Sequence, residues 1–347
     1  MTRSPTALLA ALALLGGLAA GCGDDDEPAA RGPAEKVDLI LDWFPNADHA
    51  GVYGAIEEDY FAEEGLDVSP VVPSDPTASL KQVGTGKAPF AISYEPEVLI
   101  ARSQGVPVVA VGAIVVHPLN SVIARTDRGV ARPRDLEGMT VGVAGAPSDR
   151  PLLDAVVRAD GGDPAKVETT NVGFGLSPAL AAGKVDAVIG AYWNIELVEL
   201  ERQEVPVTAF RLEEHGVPDY DELVVVTSDD VVRDQPELVE RFLRGLRAGQ
   251  DWAATDQAGA VEHLAAANPD LDAELAREQV ELTGDLLSPP RRADPEREPA
   301  GVVRVRRMDA RQRPAGRAAP GRRCGHRPVR ARGAPLAGVA QRLPSTV

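Results

Sequence analysis

The stretch VDLILDWFPNADHAGVYGAIEEDYFAEEG, residues 37–65, joins the two patterns that decide the fold. Its first seven residues form an apolar run typical of a buried strand, and the residues from His49 onward have helical periodicity. Asn46 and Asp48 stand where caps of that helix are expected. Because a strand that leads into a helix is half of a βαβ unit, the stretch predicts an α/β protein.

The same alternation continues to about Leu287. Residues 234–282 are helical throughout, with breaks at Pro and Gly. We therefore predict a largely parallel sheet and, as the most economical arrangement, two α/β lobes. The predicted strands are VDLILDW, LDVSPVV, PFAISY, VPVVAVGAIV, SVIART, TVGVAG, VETTNVG, DAVIGAY and ELVVVTS.

The formal net charge of -17 is unevenly distributed along the 347 residues. Residues 289–347 hold 15 Arg, no Lys and 4 acidic residues, a net of +11, so residues 1–288 carry -28. An acidic folded region argues against nucleic acid as its partner.

The N-terminus has the features of an export signal, predicted over residues 1–22. Arg3 precedes an apolar run that is too short for a final membrane anchor, and the run ends in LAAGC. LAAGC resembles the bacterial lipobox, so Cys22 is predicted to be lipidated and to hold the protein on the outer face of the cytoplasmic membrane. Residues 23–36 are then an acidic flexible tether. The alternative is an unmodified Cys in a signal peptide that is cleaved farther on.

The C-terminal residues 289–347 differ from the rest. Of these 59 residues, 40 are Ala, Arg, Gly or Pro, which are the residues of GC-only codons. We predict that a frameshift near Ser288 produced this tail. The alternative is a genuine polybasic segment that contacts anionic lipid.

Motifs of catalysis and metal binding are absent from the sequence. No G-x-G-x-x-G, Walker, G-x-S-x-G or H-E-x-x-H motif occurs, and the five His lack metal-ligand spacing. Aromatic and carboxylate residues instead follow predicted strands in SYEPE (93–97), AGAPSD (144–149) and AYWNIE (191–196). Open parallel sheets bind ligands at the carboxyl ends of their strands, so these segments predict a ligand site.

Several segments together resemble the thiamine-pyrimidine family of solute-binding proteins of ABC importers, which also contains the fungal pyrimidine synthase. The resemblance covers about residues 37–288 and implies a type II periplasmic-binding fold with a ligand cleft between two lobes. Lobe 1 is expected at residues 37–120 and 222–288, and lobe 2 at 121–221. The segments are LDWFPNADHAGVYGAIEEDYFAEEGLDV, ISYEPEVLIA, GVPVVAVGAIVVHPLNSVIA, DLEGMTVGVAG, VDAVIGAYWNIE and GVPDYDELVVV.

The resemblance also implies the partners. A monomer without a cofactor would deliver a small heterocycle, first of all an aminopyrimidine precursor of thiamine, to a permease and an ATPase. Sulfonates, nitrate and riboflavin are the alternative ligands, because related proteins carry them.

In the first lobe, the resemblance assigns Trp43, Asn46 and His49 to the cleft. Trp43 would offer a flat face to a heteroaromatic ring, while Asn46 and His49 would hydrogen-bond its substituents. Asp48 is kept as a helix cap. On the residues alone, Trp43 packs in the core, Asn46 caps the helix and His49 is a satisfied surface residue.

Five further residues are predicted to face the ligand. Tyr94 and Glu95 follow one strand, although Glu95 also suits a helix start. Tyr192 or Trp193 would close on the ring, and Glu196 would accept hydrogen bonds from an aminopyrimidine's amine and ring nitrogen. The alternative is a solvated Glu196 above packed aromatic side chains.

The segment AGAPSD leaves an anion site open. Backbone N–H groups at a helix start would suit a sulfonate or phosphate, but the surrounding candidates are carboxylates and aromatics. A neutral or weakly cationic heterocycle is therefore preferred, and Ser148 is predicted to cap the helix.

An enzyme of the same family is the second function considered. The resemblance implies that pyrimidine-forming members use a pyridoxal-phosphate lysine near residues 101–105 and a Cys-rich tract. Here LIARSQGVPV has Arg102 and no Lys, and the chain has only Cys22 and Cys324. An arginine cannot form the Schiff base, so binding is predicted rather than catalysis.

Overall fold

A computed structural model describes residues 33–287 of the chain. The predicted export signal, the lipidation site Cys22, most of the tether and the tail 289–347 lie outside the described residues. The predicted tether ends earlier than expected, because Glu35 and Lys36 already pair with Leu66 and Asp67.

The described residues form strands and helices in the predicted alternation, and each predicted strand is present. One strand, β9, was not predicted. The strands are β1 (Glu35–Ile40), β2 (Leu66–Val71), β3 (Phe90–Ser93), β4 (Val108–Val115), β5 (Asn120–Arg125), β6 (Thr140–Val143), β7 (Glu168–Asn171), β8 (Ala187–Tyr192), β9 (Val207–Arg211) and β10 (Leu223–Ser228). The helices are α1 (Ala50–Glu57), α2 (Tyr60–Glu63), α3 (Ala78–Gly84), α4 (Glu95–Ser103), α5 (Asp149–Ala159), α6 (Leu176–Ala181), α7 (Glu196–Arg202), α8 (Asp229–Asp234), α9 (Pro236–Ala253), α10 (Gln257–Ala267) and α11 (Ala273–Leu287).

The strands form two sheets of five, with the orders β2-β1-β3-β10-β4 and β7-β6-β8-β5-β9. The prediction of a largely parallel sheet was wrong at one strand in each. In the first sheet β10 runs antiparallel to both of its neighbours, and in the second sheet β5 does the same. Each of these two strands follows a segment in which the chain crosses from the other sheet. Because no crossover helix connects it to a preceding strand of its own sheet, it is not required to run parallel to its neighbours.

Helices cover both faces of each sheet, which explains why inner strands such as β3 and β10 are buried along their whole length, whereas the edge strand β2 alternates buried and exposed residues. One face of the first sheet packs on α1 and α9, where Phe242 stacks on Phe61 and Phe90 with ring centroids 5.1 and 4.2 Å away. The helices α1 and α9 approach so closely that a Cβ on Gly249 would lie 2.2 Å from the carbonyl oxygen of Gly51. The helix pair therefore depends on glycine at this crossing.

The last helix, α11, joins parts of the chain that belong to different sheets. Gln279 donates to the carbonyl oxygen of Ile195, just before α7, over 3.2 Å, and Thr283 contacts Asp48 in the turn after β1. Within residues 33–287, no helix is both long and apolar enough to cross a membrane.

Candidate functional site

A narrow cleft, partly open to solvent, lies among loops that come from both sheets. A smaller recess adjoins it and shares four of its lining residues. The recess is lined by Asp42, Trp43, Asn46, Tyr94, Gly190, Tyr192, Ile195 and Glu196, and the larger cleft adds Pro76, Pro96, Asn120, Ala144, Ala146, Ser148, Asp149, Leu152, Tyr220 and Glu222.

Five of the eight predicted ligand residues therefore come together: Trp43, Asn46, Tyr94, Tyr192 and Glu196. The other three, His49, Glu95 and Trp193, are not among the residues that line these cavities. Each of the three makes protein contacts that account for its position, as described below.

The turn after β1 is held by a network centred on His49. Asn46 caps a short 3-10 helix, Ala47–His49, by accepting from the backbone N–H of Asp48 over 2.9 Å. The backbone N–H of Asn46 donates to His49 Nδ1 over 3.2 Å, so the ring proton lies on Nε2, which donates to Asp42 Oδ1 over 2.9 Å. With 0% of His49 exposed, the ring holds the turn instead of facing the cavity.

Asp42 carries this network to the cleft wall. Its second carboxylate oxygen accepts the hydroxyl of Tyr94 over 3.1 Å. Burial and the adjacent Asp42 charge raise the pKa of Tyr94 well above its usual value, so this hydroxyl is a donor at neutral pH. The position of the Tyr94 ring therefore depends on the hydrogen bonds that connect His49 to Asp42 and Asp42 to Tyr94.

Asp48 is not a helix cap, contrary to the prediction. Its side chain is buried and accepts a hydrogen bond from Asn194 Nδ2 over 2.7 Å. Asp48 lies in the turn after β1 and Asn194 in the loop after β8, so the bond joins these two segments. Burial raises the pKa of Asp48 to about 6. Within residues 33–287, neither Asp48 Oδ2 nor Asn194 Oδ1 has a hydrogen-bond partner.

Trp43 contacts an aromatic residue that the sequence did not predict. The ring of Phe174, in the loop after β7, meets Trp43 edge to face with centroids 4.5 Å apart and contacts Phe44 at 5.0 Å. Trp43 also lies in the lining of both cavities. The contact joins the turn after β1 to a loop of the second sheet.

Glu222, just before β10, collects four hydrogen bonds at the cleft wall, and the sequence did not predict it as a site residue. The carboxylate accepts the backbone N–H groups of Leu119 and Asn120 over 2.8 and 2.9 Å, and the hydroxyls of Tyr220 and Tyr192 over 3.0 and 3.2 Å. Burial raises the pKa of Glu222 to about 7, although these bonds oppose the effect.

Glu196 lies at the start of α7 and lines the smaller recess. It accepts the backbone N–H of Tyr192 over 2.7 Å, while 8% of the residue is exposed. Burial raises the pKa of Glu196 to about 8. A buried carboxyl that is protonated at neutral pH can both donate and accept a hydrogen bond.

A glycine in β8, Gly190, lines both cavities. Gly190 has a φ of +88°, and it is the extra residue of a bulge in β8 opposite the step from Ser121 to Val122. Its backbone N–H donates to Asn120 Oδ1 over 3.0 Å. A side chain at Gly190 would strain the backbone and enter the cavities, so glycine is required there.

Trp193 and Glu95 lie beside the cavities. Trp193 donates its indole N–H to the carbonyl oxygen of Pro118 over 3.2 Å, and the guanidinium of Arg211 lies 4.1 Å from its ring centre. Glu95 accepts the backbone N–H of Asp221 over 2.7 Å. Both residues brace the two chain segments that cross between the sheets.

The loop before α5 does not present free N–H groups to an anion. Asp149 accepts from the backbone N–H groups of Gly145 and Ala146 over 2.8 and 2.9 Å, and Glu97 accepts from that of Ser148 over 2.7 Å. Ser148 makes no side-chain capping bond, which corrects its predicted role. Protein carboxylates thus occupy the positions that a sulfonate or phosphate would take.

The electrostatic character of the cleft follows from its lining. Among the described residues, those that line the two cavities include Asp42, Asp149, Glu196 and Glu222 but no Arg, Lys or His. No group of three or more His, Cys, Asp or Glu within residues 33–287 could hold a metal ion. The arrangement suits a neutral or weakly cationic molecule that donates hydrogen bonds.

Comparisons with known proteins show the family to which the chain belongs. Residues 46–260 match the protein family described as NMT1/THI5 like. The chain is 40% identical over 245 residues to the formylaminopyrimidine-binding protein of Halalkalibacterium halodurans, covering 71% of this chain and 73% of that protein. It is 25% identical to a 4-amino-5-hydroxymethyl-2-methylpyrimidine phosphate synthase of Aspergillus parasiticus, covering 68% of this chain and 71% of that protein.

A solved structure supports the fold. The alkanesulfonate-binding protein SsuA of Xanthomonas axonopodis pv. citri, bound to MOPS, superposes with a TM-score of 0.60 at 14% identity, covering 72% of this chain and 84% of that chain. The predicted family and the predicted α/β periplasmic-binding fold are therefore confirmed.

Proposed function

The chain belongs to the NMT1/THI5-like family, and we propose that it is the solute-binding component of an ABC importer for an aminopyrimidine. The cleft carries this proposal: it combines the rings of Trp43, Tyr94 and Tyr192 with four carboxyl groups and no basic side chain among its described lining residues. The 40% identical relative is named for binding a formylaminopyrimidine, which supports the ligand class.

Glu196 provides the recognition. In its neutral form, the acid donates O–H to a ring nitrogen of the pyrimidine and accepts N–H from the adjacent amine, so both partners are satisfied without a buried charge. Trp43 and Tyr192 then supply ring faces, Tyr94 borders the ring, and Asn46 hydrogen-bonds a substituent. These five residues are the proposed ligand contacts.

The other predicted residues act through their neighbours. His49 orients Asp42 and thereby Tyr94, and its ring has no free nitrogen for a ligand. Glu95 and Trp193 position the crossing segments at Asp221 and Pro118. Their substitution should disturb the cleft indirectly.

The importer role includes further proposals. Residues 37–120 and 222–288 form one lobe, residues 121–221 form the other, and the ligand is enclosed as the lobes close. The protein is exported, anchored through a lipid on Cys22, and acts as a monomer with a permease and an ATPase. Mass spectrometry of the mature N-terminus tests the anchor, since an unmodified terminus beyond Cys22 would contradict it.

Catalysis and anion uptake have less support. A synthase of the family shares 25% identity, but Arg102 donates to the carbonyl oxygen of Val108 and to Asp229, and no Lys is among the described lining residues. We therefore propose binding without chemistry. An anion would meet four carboxyl groups, which opposes a sulfonate or nitrate ligand.

Calorimetric titration of the purified protein tests the proposal. The ligands are 4-amino-5-hydroxymethyl-2-methylpyrimidine, its 5-formylaminomethyl analogue, riboflavin and taurine. Saturable binding of an aminopyrimidine that is lost in Trp43→Ala supports the function. Binding of taurine alone would move the function to anion uptake.

A further inference from the structure

Asp48 and Asn194 meet where the turn after β1 contacts the loop after β8, and these two strands belong to different sheets. Both residues are buried, with exposed fractions of 1% and 0%. The Asn194 amide donates to Asp48 Oδ1 over 2.7 Å and to Thr283 Oγ1 over 2.8 Å. Asp48 Oδ2 and Asn194 Oδ1 are left as buried acceptors without a partner among the described residues.

The Thr283 hydroxyl does not supply the missing donor. It donates its single proton to the carbonyl oxygen of Gln279 over 2.7 Å, whereas Asp48 Oδ1 lies 3.4 Å away. Two buried acceptors without a donor cost free energy. A proton on Asp48 Oδ2 removes both deficits, because a carboxylic acid and a primary amide each offer one donor and one acceptor to the other.

We propose that Asp48 and Asn194 form a proton-dependent acid–amide pair that joins the two sheets. With the proton bound, Asp48 Oδ2 donates to Asn194 Oδ1 while Asn194 Nδ2 donates to Asp48 Oδ1, so two hydrogen bonds connect the side chains. Without the proton, one of these bonds remains. The consequence for the ligand rests on the proposed function: the pair strengthens a contact that must separate for the cleft to open, so the bound proton favours retention of the ligand.

Four titratable groups act on Asp48 or are affected by its charge. Asp42 and His49 belong to the same turn and act on Asp48 in opposite directions. Across the contact lie Tyr192 of β8 and Glu196 of α7. Burial raises the pKa of Tyr192 well above its usual value and that of Glu196 to about 8, so both stay protonated while Asp48 titrates.

Three helices also pack against this turn, and they add no buried charge from their described side chains. The helix α11 presents the uncharged Thr283 and Gln279. In α1, burial raises the pKa of Tyr53 to about 12, so this side chain stays neutral. The described acidic and basic residues of α1, α10 and α11 are exposed, apart from His263, which is bonded to Glu58.

The direction of the pH effect follows from the burial of Asp48. Burial raises its pKa from 3.8 to about 6 in the joined state, and exposure on separation returns it to its ordinary value. The joined state therefore binds the proton more tightly, and its advantage is lost as pH rises through about 6. Between about pH 5 and about pH 7.5 the equilibrium between the joined and separated states changes by about tenfold.

Calorimetry on the purified protein with 4-amino-5-hydroxymethyl-2-methylpyrimidine tests the effect on the ligand. We expect the affinity of the wild type to fall between about pH 5 and about pH 7.5 by about tenfold more than that of Asp48→Asn. The asparagine amide keeps a donor and an acceptor at every pH. Titration of the ligand itself or of the cleft carboxyl groups acts on both proteins and cancels in the comparison.

Asp221→Asn is the matched control. Burial also raises the pKa of Asp221 to about 6, but this residue is not among those that line the two cavities. It should therefore keep the full pH dependence of the wild type. Equal pH dependence in wild type and Asp48→Asn, or its loss in Asp221→Asn, would overturn the role of the pair in ligand retention.

Carbon NMR of isotope-labelled aspartate carboxyl groups tests the pair itself without any ligand. The signal that is missing from Asp48→Asn identifies Asp48, and we expect it to titrate at about pH 6 in the wild type. An Asp48 that is still ionised at about pH 5 would overturn the pair and favour a water molecule that bridges the two acceptors. Titration at about pH 6 in a protein that binds no aminopyrimidine would overturn the proposed function but support the pair.

Discussion

Phe174 and Trp43 belong to loops of different sheets, yet their rings meet edge to face with centroids 4.5 Å apart. Phe174 also touches Phe44, so one side chain from the second sheet is held by two consecutive aromatics that follow β1. This contact must separate whenever the two sheets move apart at this point. It therefore links the position of the Trp43 ring to any separation of the two sheets.

Replacing Phe174 with Ala should accelerate ligand dissociation. An aromatic pair contributes about 0.5–1.5 kcal/mol beyond its buried area, which corresponds to roughly a tenfold faster rate at the upper limit. Stopped-flow tryptophan fluorescence measures it, with Phe44→Ala as the control that removes only the more distant ring. An unchanged dissociation rate in Phe174→Ala would refute the link.

Replacing Glu222 with Gln should destabilise the protein by roughly 2–4 kcal/mol, because an amide cannot accept all four of the bonds that the carboxylate accepts. Urea unfolding followed by circular dichroism measures the loss. Tyr220→Phe removes one of the four bonds and should cost only about 1 kcal/mol. Equal stability of wild type and Glu222→Gln would show that the network contributes little.

Aminopyrimidine affinity should fall as pH rises through the pKa of Glu196, which burial raises to about 8. Above that pH the carboxylic acid loses the proton that it donates to the ring nitrogen, so we expect about tenfold weaker binding at about pH 9.5 than at about pH 7. In Glu196→Gln the amide keeps a donor and an acceptor, and the profile should be flat. Calorimetry over this range decides; a wild-type profile that is equally flat would contradict the donor role.

Replacing Asp48 with Asn should stabilise the protein at high pH. Folding raises the pKa of Asp48 from 3.8 to about 6, so the folded state binds more protons and stability falls as pH rises through this window. The shift corresponds to up to about 3 kcal/mol above about pH 7 and to none below about pH 4. Thermal unfolding at both pH values measures it, with the exposed Asp38→Asn as the control. A gain of equal size at both pH values would contradict the titration.

The sequence was sufficient to predict the location of a residue wherever that location depends only on the strand to which the residue belongs. The apolar runs of β1, β3 and β8 predicted that Trp43, Tyr94 and Tyr192 lie at or just after strand ends, whereas the assignment of Trp43 to the cleft came from the resemblance to the family. Strand β9 was missed because only Phe210 of its five residues is buried, at the edge of the sheet.

Roles that depend on a distant partner were not predictable. Glu222 bonds Leu119 across 103 positions, and Asp48 bonds Asn194 across 146. No local pattern distinguishes a cap from a buried acceptor in such cases. His49 was assigned to the ligand because the sequence did not predict that its ring nitrogen Nε2 is hydrogen-bonded to Asp42.

The position of β10 between β3 and β4 sets the order in which the protein can mature during synthesis. Every strand of the second sheet, from Asn120 to Arg211, leaves the ribosome before β10 does. The second sheet can therefore close while β3 and β4 still have unpaired edges, which are prone to pair with other chains. Completion of the first sheet waits for residues 223–228, and the newly made chain is most vulnerable to aggregation until they arrive.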